Sequence, residues 1–464
     1  MSSATTTDLY EVTMAMSYLR EGMRGPATFS LFVRELPPDR GFLVAAGLES
    51  SLGFRVGAED VDAFASALHR PPRDLAPLLG TEFTGQVKAV PEERIVLAGE
   101  PLLEVTAPLP QAQLVETYVL NQVSHRTTVA SKAARYVLAA AGHPVVDYFS
   151  LRRTHGPQAG FQAARLSAMV GFAGTSNVAA ATAEGLPAVG TVAHSYIDAF
   201  GTEEAAFRAF ARAHPGPVTL LVDTYDTEDG VRVAARVLRD LERGPGSAVR
   251  LDSGDLGALA LRARALLDAT ELADVRIVAS GGLDEYAVDE LVRSGAPIDV
   301  YAVGTRVGVS ADAPFLDSAY KMVEYDGRPV MKLSSAKVTA PGQKQVFRRP
   351  GYADLIGLRD ERPPDESLPL LETVMRNERR TAARTDLVEM GERCAADLAG
   401  LSSAARRIRT PVAPRAATSV RLTALAAKVR RRIENESLTT TKDPRPHEPS
   451  ASGSQRSAPG RGGQ

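Results

Sequence analysis

The chain carries one cysteine, Cys394, in 464 residues. A lone thiol excludes an intramolecular disulfide framework and any cysteine-built zinc site, and it suits a reducing compartment such as the cytoplasm. An excess of charge of one sign is also missing: 54 lysines and arginines against 56 acidic residues leave a formal net charge of -2. Without a global positive field the chain is not expected to bind nucleic acid, and any anionic ligand has to be held by a local arrangement. Long apolar runs are lacking as well. None reaches the roughly 18 residues that a membrane span needs, and residues 1–8 hold three threonines with no apolar stretch behind a basic segment, unlike a secretory signal.

What is present is an ordinary globular balance, 44% hydrophobic and 24% charged. A single core usually stops growing at about 250–300 residues, so this length implies two packed domains plus a tail. Residues 1–140 mix a helix-like start (Leu9, Val12, Met16, Leu19) with apolar stretches at 27–33, 41–46, 86–90, 95–98 and 101–105, before a long helical stretch at 112–141. That pattern predicts an α+β lobe. From 145 the texture changes to seven short apolar runs, at 145–149, 169–173, 188–192, 218–222, 248–251, 275–279 and 298–303, each followed by a helical pattern. Such alternation predicts parallel βαβ units over 141–310. Polar residues follow every run, and a barrel gathers all its strand ends at one mouth, whereas an open sheet scatters several of them. The expected fold is therefore α/β, a TIM-like (β/α) barrel. Segment 311–436 reads as strands returning to the first lobe, with a hairpin turn at Asp326-Gly327, followed by helices. Residues 437–464 are polar and rich in Pro, Ser, Gly and Arg, which predicts a disordered tail.

Several strand-end groups carry chemistry. Gly281 and Gly282 after one run, and Gly304-Thr305 after another, either cradle a sugar phosphate with backbone N–H groups or satisfy two tight turns. Asp252 can orient ribose hydroxyls or hold Mg²⁺, while Asp255 reads as a helix cap. His194 is a candidate nucleophile or general base, an imidazole being largely neutral at pH 7. A carboxylate from the next strand end, Asp223, would fix its tautomer. Arg152, Arg153 and Arg250 offer charge for a carboxylate or phosphate, and Phe149 and Tyr10 offer aromatic faces. Together they point to a flat, anionic aromatic substrate.

Six segments then carry a resemblance. They are 7–14 (Thr7-Asp8-Leu9-Tyr10-Glu11-Val12-Thr13-Met14), 151–157 (Leu151-Arg152-Arg153-Thr154-His155-Gly156-Pro157), 171–177, 190–195, 249–255, and 332–348 with its Pro341-Gly342-Gln343-Lys344-Gln345. In this order they resemble the nicotinate phosphoribosyltransferase family, over about residues 5–435. The resemblance implies the irregular barrel of type II phosphoribosyltransferases, a homodimer with sites near the subunit boundary, and nicotinate, phosphoribosyl pyrophosphate and ATP as substrates with Mg²⁺. By resemblance, His194 is the residue that ATP phosphorylates and Asp223 its partner. Phe149 and Tyr10 flank the pyridine ring, Tyr10 from the neighbouring subunit. Arg250 and Arg152 bind negative groups, Thr191 contacts nicotinate, and Gly281, Gly282, Gly304 and Thr305 grip the sugar phosphate. Related nicotinamide enzymes have an aspartate where this chain has Ser176. A serine hydroxyl donates to a carboxylate that an aspartate would repel, so Ser176 favours the acid. The alternatives are a nicotinamide or quinolinate phosphoribosyltransferase, or a catalytically silent barrel that senses nucleotides.

Overall fold

A computed structural model describes residues 3–78, 84–334, 339–381 and 383–440. The first lobe is built on a seven-stranded antiparallel sheet in the order Arg328–Pro329, Ser318–Tyr325, Pro26–Val33, Pro101–Pro108, Gln86–Ala89, Glu372–Arg376, Arg379–Arg380. Strands from late in the chain thus occupy both edges of a sheet begun by the N-terminal segment. The Asp326-Gly327 turn is present, with φ of 49° and 73°. Two successive positive φ values match the right-handed strand twist that a two-residue hairpin requires. A separate four-stranded sheet contains Leu368–Pro369, Lys344–Arg348, Leu355–Leu358 and Ala417–Thr418. The last helix runs from Val420 to Thr440, into the segment expected to be a disordered tail. The remainder of that segment, 441–464, lies outside the described residues.

The second half is a parallel sheet in the order Val145–Asp147, Val300–Val303, Arg276–Ala279, Ala248–Leu251, Thr219–Leu221. Parallel bridges extend it from Asp147 to Thr175 and from Thr175 to Ala188. Two of the seven expected strands are therefore absent as strands. The run at 169–173 is the end of helix Pro157–Met169 and the turn after it; Met169, Val170 and Phe172 are buried as helix end and loop, an ambiguity that a short apolar run cannot resolve by itself. The run at 188–192 contributes a single bridge. Between it and Thr219–Leu221 no backbone ladder forms among the described residues, and the Thr191 hydroxyl instead donates to the Thr219 carbonyl. That contact brings the two margins of the sheet together.

The two largest apolar cores lie one in each half, and helix Glu116–Ala139 enters both. Val119 and Val123 pack into the first-lobe core, while Val129, Ala130, Ala133, Ala134, Tyr136 and Ala139 pack into the second. The same helix carries two buried cations. Lys132 lies 2.5 Å from Glu285 and 2.8 Å from Asp312, and Arg135 lies 3.0 Å from Glu285. Glu285 opens helix Glu285–Arg293, just beyond Gly281-Gly282, so these pairs tie that loop to the helix shared by both cores. No helix among the described residues is long and apolar enough to cross a membrane.

Breaking a buried pair leaves uncompensated charge. Glu285→Gln should lower the unfolding free energy by about 3–5 kcal/mol in urea titration; a loss below about 1 kcal/mol would mean that Lys132 and Arg135 are satisfied without it.

Candidate active site

Strand Ala248–Leu251 alternates in burial direction. Val249 and Leu251 join the core between sheet and helices, so Ala248 and Arg250 face the interior of the curved sheet, as a period of two requires. Arg250 is 4% exposed. Its Nε donates to Ser280 Oγ at 2.8 Å, its Nη2 to Asp252 Oδ1, and its Nη1 reaches the Val192 carbonyl at 3.4 Å. The guanidinium also lies over two rings, with Cζ 5.1 Å from the centre of Tyr148 and 5.5 Å from that of Phe149. Arg152 covers Phe149 as well, at 4.6 Å. Val146, Tyr148, Val300 and Ala302 line the space beside these charges. Apolar walls with a guanidinium at one end suit a flat ring that carries an anionic group.

Phe149 has φ of 63°, and its N–H donates to Ser176 Oγ at 2.8 Å. A left-handed aromatic residue costs on the order of 1–3 kcal/mol, so its surroundings must hold it. Because the Ser176 oxygen accepts that bond, the Ser176 hydrogen remains available to donate. Behind the turn, the Thr175 hydroxyl donates to Asp147 Oδ2 at 2.7 Å, and burial pushes the Asp147 carboxyl up.

His194 opens helix His194–Phe200 and is about half exposed. Its Nδ1 is 3.1 Å from Thr224 Oγ1 and its Nε2 is 3.7 Å from Asp252 Oδ2. This corrects the expected pairing with Asp223. Asp223 Oδ2 instead accepts the Asp252 N–H at 3.0 Å and the Ser253 hydroxyl at 2.7 Å, which places Asp223 one step behind the carboxylate that meets the imidazole. Asp252 is the hinge of the cluster: Oδ1 takes Arg250 and, at 2.5 Å, the Ser280 hydroxyl, while Oδ2 faces His194.

Packing demands glycine at both loops. A Cβ on Gly281 would fall 1.8 Å from the Asp252 carbonyl oxygen, and one on Gly304 would fall 2.1 Å from that of Tyr148. The steric account therefore holds for these two, and it brings their backbone against the strand ends that carry the site. Gly282 and Thr305 remain exposed beside them. Asp255 is the expected cap, accepting from the Ala258 N–H at 3.1 Å. Thr191 has its hydroxyl hydrogen committed to Thr219. Tyr10 is 46% exposed on helix Leu9–Arg20, among Glu116, Glu11 and Asp8 of the first lobe, whose charges add to burial in raising its phenol. None of those neighbours belongs to the mouth. Arg152 and Arg153 are both exposed. Tyr148 was missed from the sequence, where its place beside Phe149 was the only signal. Ser280 and Thr224 were legible only as members of the polar segments that follow the apolar runs. Among the described residues no group of three or more His, Cys, Asp or Glu is placed to hold a metal ion.

With this geometry in place, comparison with known proteins is informative. Residues 5–124 match the nicotinate phosphoribosyltransferase (NAPRTase) N-terminal domain, and 145–340 match the nicotinate phosphoribosyltransferase (NAPRTase) family. The Mycobacterium tuberculosis protein named nicotinate phosphoribosyltransferase pncB2 is 47% identical over 383 residues, 81% of this chain and 82% of that protein. The Bacillus subtilis nicotinate phosphoribosyltransferase is 38% identical over 379 residues, 78% of this chain and 77% of its own. The crystal structure of human nicotinic acid phosphoribosyltransferase superposes with a TM-score of 0.79 at 29% identity, covering 91% of this chain and 99% of that one.

Behind the cluster, burial followed by the charges of Asp226, Asp229 and Asp223 pushes the Glu203 carboxyl from 4.5 up to about 7. The folded state thus holds this proton more tightly than the unfolded chain, and stability falls as pH rises from 4.5 through 7. Glu203→Gln should raise the thermal midpoint relative to the parent at pH 8, with the gain vanishing near pH 4; an equal gain at both pH values would contradict this.

Proposed function

This chain belongs to the nicotinate phosphoribosyltransferase family, and we propose that it joins nicotinate to the ribose of phosphoribosyl pyrophosphate, with ATP hydrolysis coupled through a phosphorylated His194. The observation that carries this reading is the convergence of Arg250, Ser176, Phe149, Asp252 and His194 at one set of strand ends.

In the reaction the pyridine nitrogen attacks ribose C1 while the C1–oxygen bond to pyrophosphate breaks and its electron pair leaves with that group. Arg250 and the Ser176 hydroxyl hold the substrate carboxylate, with Arg152 adding positive charge above Phe149. Phe149 flanks the ring on one side. Tyr10, exposed on the first lobe, fits the other side of a neighbouring subunit's ring in a homodimer. Fixing the nitrogen in line with C1 lowers the barrier by removing positional entropy. Backbone N–H groups at Gly281, Gly282, Gly304 and Thr305 grip the phosphoribosyl group. Asp252 would be the carboxylate that helps hold Mg²⁺, and the ion would supply charge neutralisation for the departing pyrophosphate.

Asp252 also sets the tautomer of His194. A carboxylate facing Nε2 favours the ring proton there, leaving the Nδ1 lone pair, which now meets the Thr224 hydroxyl, as the nucleophile. Attack on the γ-phosphorus forms the N–P bond as the bond to the ADP oxygen breaks. Asp223 holds Asp252 in place rather than touching the imidazole.

Incubation with nicotinate, phosphoribosyl pyrophosphate, Mg²⁺ and ATP should yield nicotinate mononucleotide, pyrophosphate and ADP. Absence of nicotinate mononucleotide would favour a silent, nucleotide-sensing barrel instead. In His194→Ala, slow transfer should persist while stimulation by ATP disappears; full coupling there would refute the phosphohistidine. Ser176→Asp should raise KM for nicotinate by roughly tenfold or more through like-charge repulsion and leave KM for phosphoribosyl pyrophosphate near its parent value. An unchanged preference for nicotinate over nicotinamide in that variant would remove Ser176 from acid recognition.

A further inference from the structure

We infer that Tyr148 is a positioning residue that orients the Arg250 guanidinium through its ring face; the inference rests on the proposed reaction. Hydrogen bonds to Ser280, Asp252 and Val192 hold the edges of the Arg250 guanidinium and leave its flat faces to other contacts. Two aromatic rings take that place, and the nearer ring centre is that of Tyr148, at 5.1 Å. A guanidinium that is desolvated gains most from such a face.

Tyr148 is itself held firmly. Its N–H donates to the Val303 carbonyl at 2.6 Å, its own carbonyl oxygen is the one that excludes a side chain at Gly304, and the residue is 8% exposed among Val146, Val300 and Ala302. Arg250 reaches across the interior to the Val192 carbonyl. The guanidinium therefore touches the chain just before the helix that His194 opens. Phe149, by contrast, also carries Arg152 and sits in the strained turn beside Ser176. The two neighbouring aromatics thus have different tasks.

Two substitutions test the ring face. Tyr148→Met keeps bulk but has no aromatic face, and it should raise both KM for nicotinate and the calorimetric Kd for nicotinate by roughly tenfold, with KM for phosphoribosyl pyrophosphate within about twofold of the parent. Tyr148→Phe keeps the face and should leave nicotinate binding near the parent value. Equal rises in both KM values in Tyr148→Met, or unchanged nicotinate binding, would overturn the ring's role. A roughly tenfold rise in the nicotinate Kd of Tyr148→Phe would overturn it as well, and because Phe fills the same space this arm survives even if the Met variant does not fold. A parent protein that binds nicotinate but forms no nucleotide would refute the proposed reaction, while the binding comparison would still decide the ring's role.

Discussion

The buried charge of Arg250 is the constraint around which the mouth is organised. A guanidinium taken out of water loses several kcal/mol of solvation unless its donors and its charge are matched. Asp252 supplies the countercharge, Ser280 and the Val192 carbonyl take further N–H groups, and two aromatic faces cover the planar surfaces. Because Asp252 is committed to Arg250 through one oxygen, only its other oxygen is turned toward His194. Asp252 is in turn held by Asp223, and its carbonyl lies so close to residue 281 that only glycine is accommodated there. One charge thereby propagates its geometry to the imidazole, to the Gly281-Gly282 loop and to the aromatic wall.

That geometry needs rigid support, which the long helix Glu116–Ala139 provides. Its first half belongs to one apolar core and its second half to the other, so the lobes share a structural member instead of meeting across a simple surface. Lys132 and Arg135 on this helix pair with Glu285 at the start of the helix after Gly281-Gly282, and the Tyr136 hydroxyl donates to the Leu283 carbonyl at 3.0 Å. Removing water from such pairs has a cost, and their contribution lies in defining one arrangement as much as in net stability. Here the arrangement they define is the position of the loop that borders Asp252.

The charge balance of the whole molecule is consistent with this local economy. With nearly equal numbers of acidic and basic residues, long-range steering contributes little, and the polarity of the mouth comes from a few oriented groups. Arg250 supplies fixed positive charge. Ser176, its oxygen accepting the Phe149 N–H, keeps its hydrogen free to donate to a ligand.

Much of this was legible in the linear chain because it is written in local terms. The Asp326-Gly327 hairpin follows from the φ values that those residues tolerate, the parallel strands from short apolar runs with polar ends, and the family from ordered motifs. What the chain alone did not decide was relative placement. The apolar run at 169–173 looks like a strand yet completes a helix and turn; Asp223 and Asp252 look equivalent at neighbouring strand ends, yet only Asp252 reaches the imidazole. Tyr148 is indistinguishable from a core aromatic until the curvature of the sheet brings it against Arg250. Backbone periodicity and turn chemistry depend on residues a few positions apart, whereas a hydrogen bond is made or lost over a fraction of an ångström between segments far apart in the chain, and only the packed structure sets that distance.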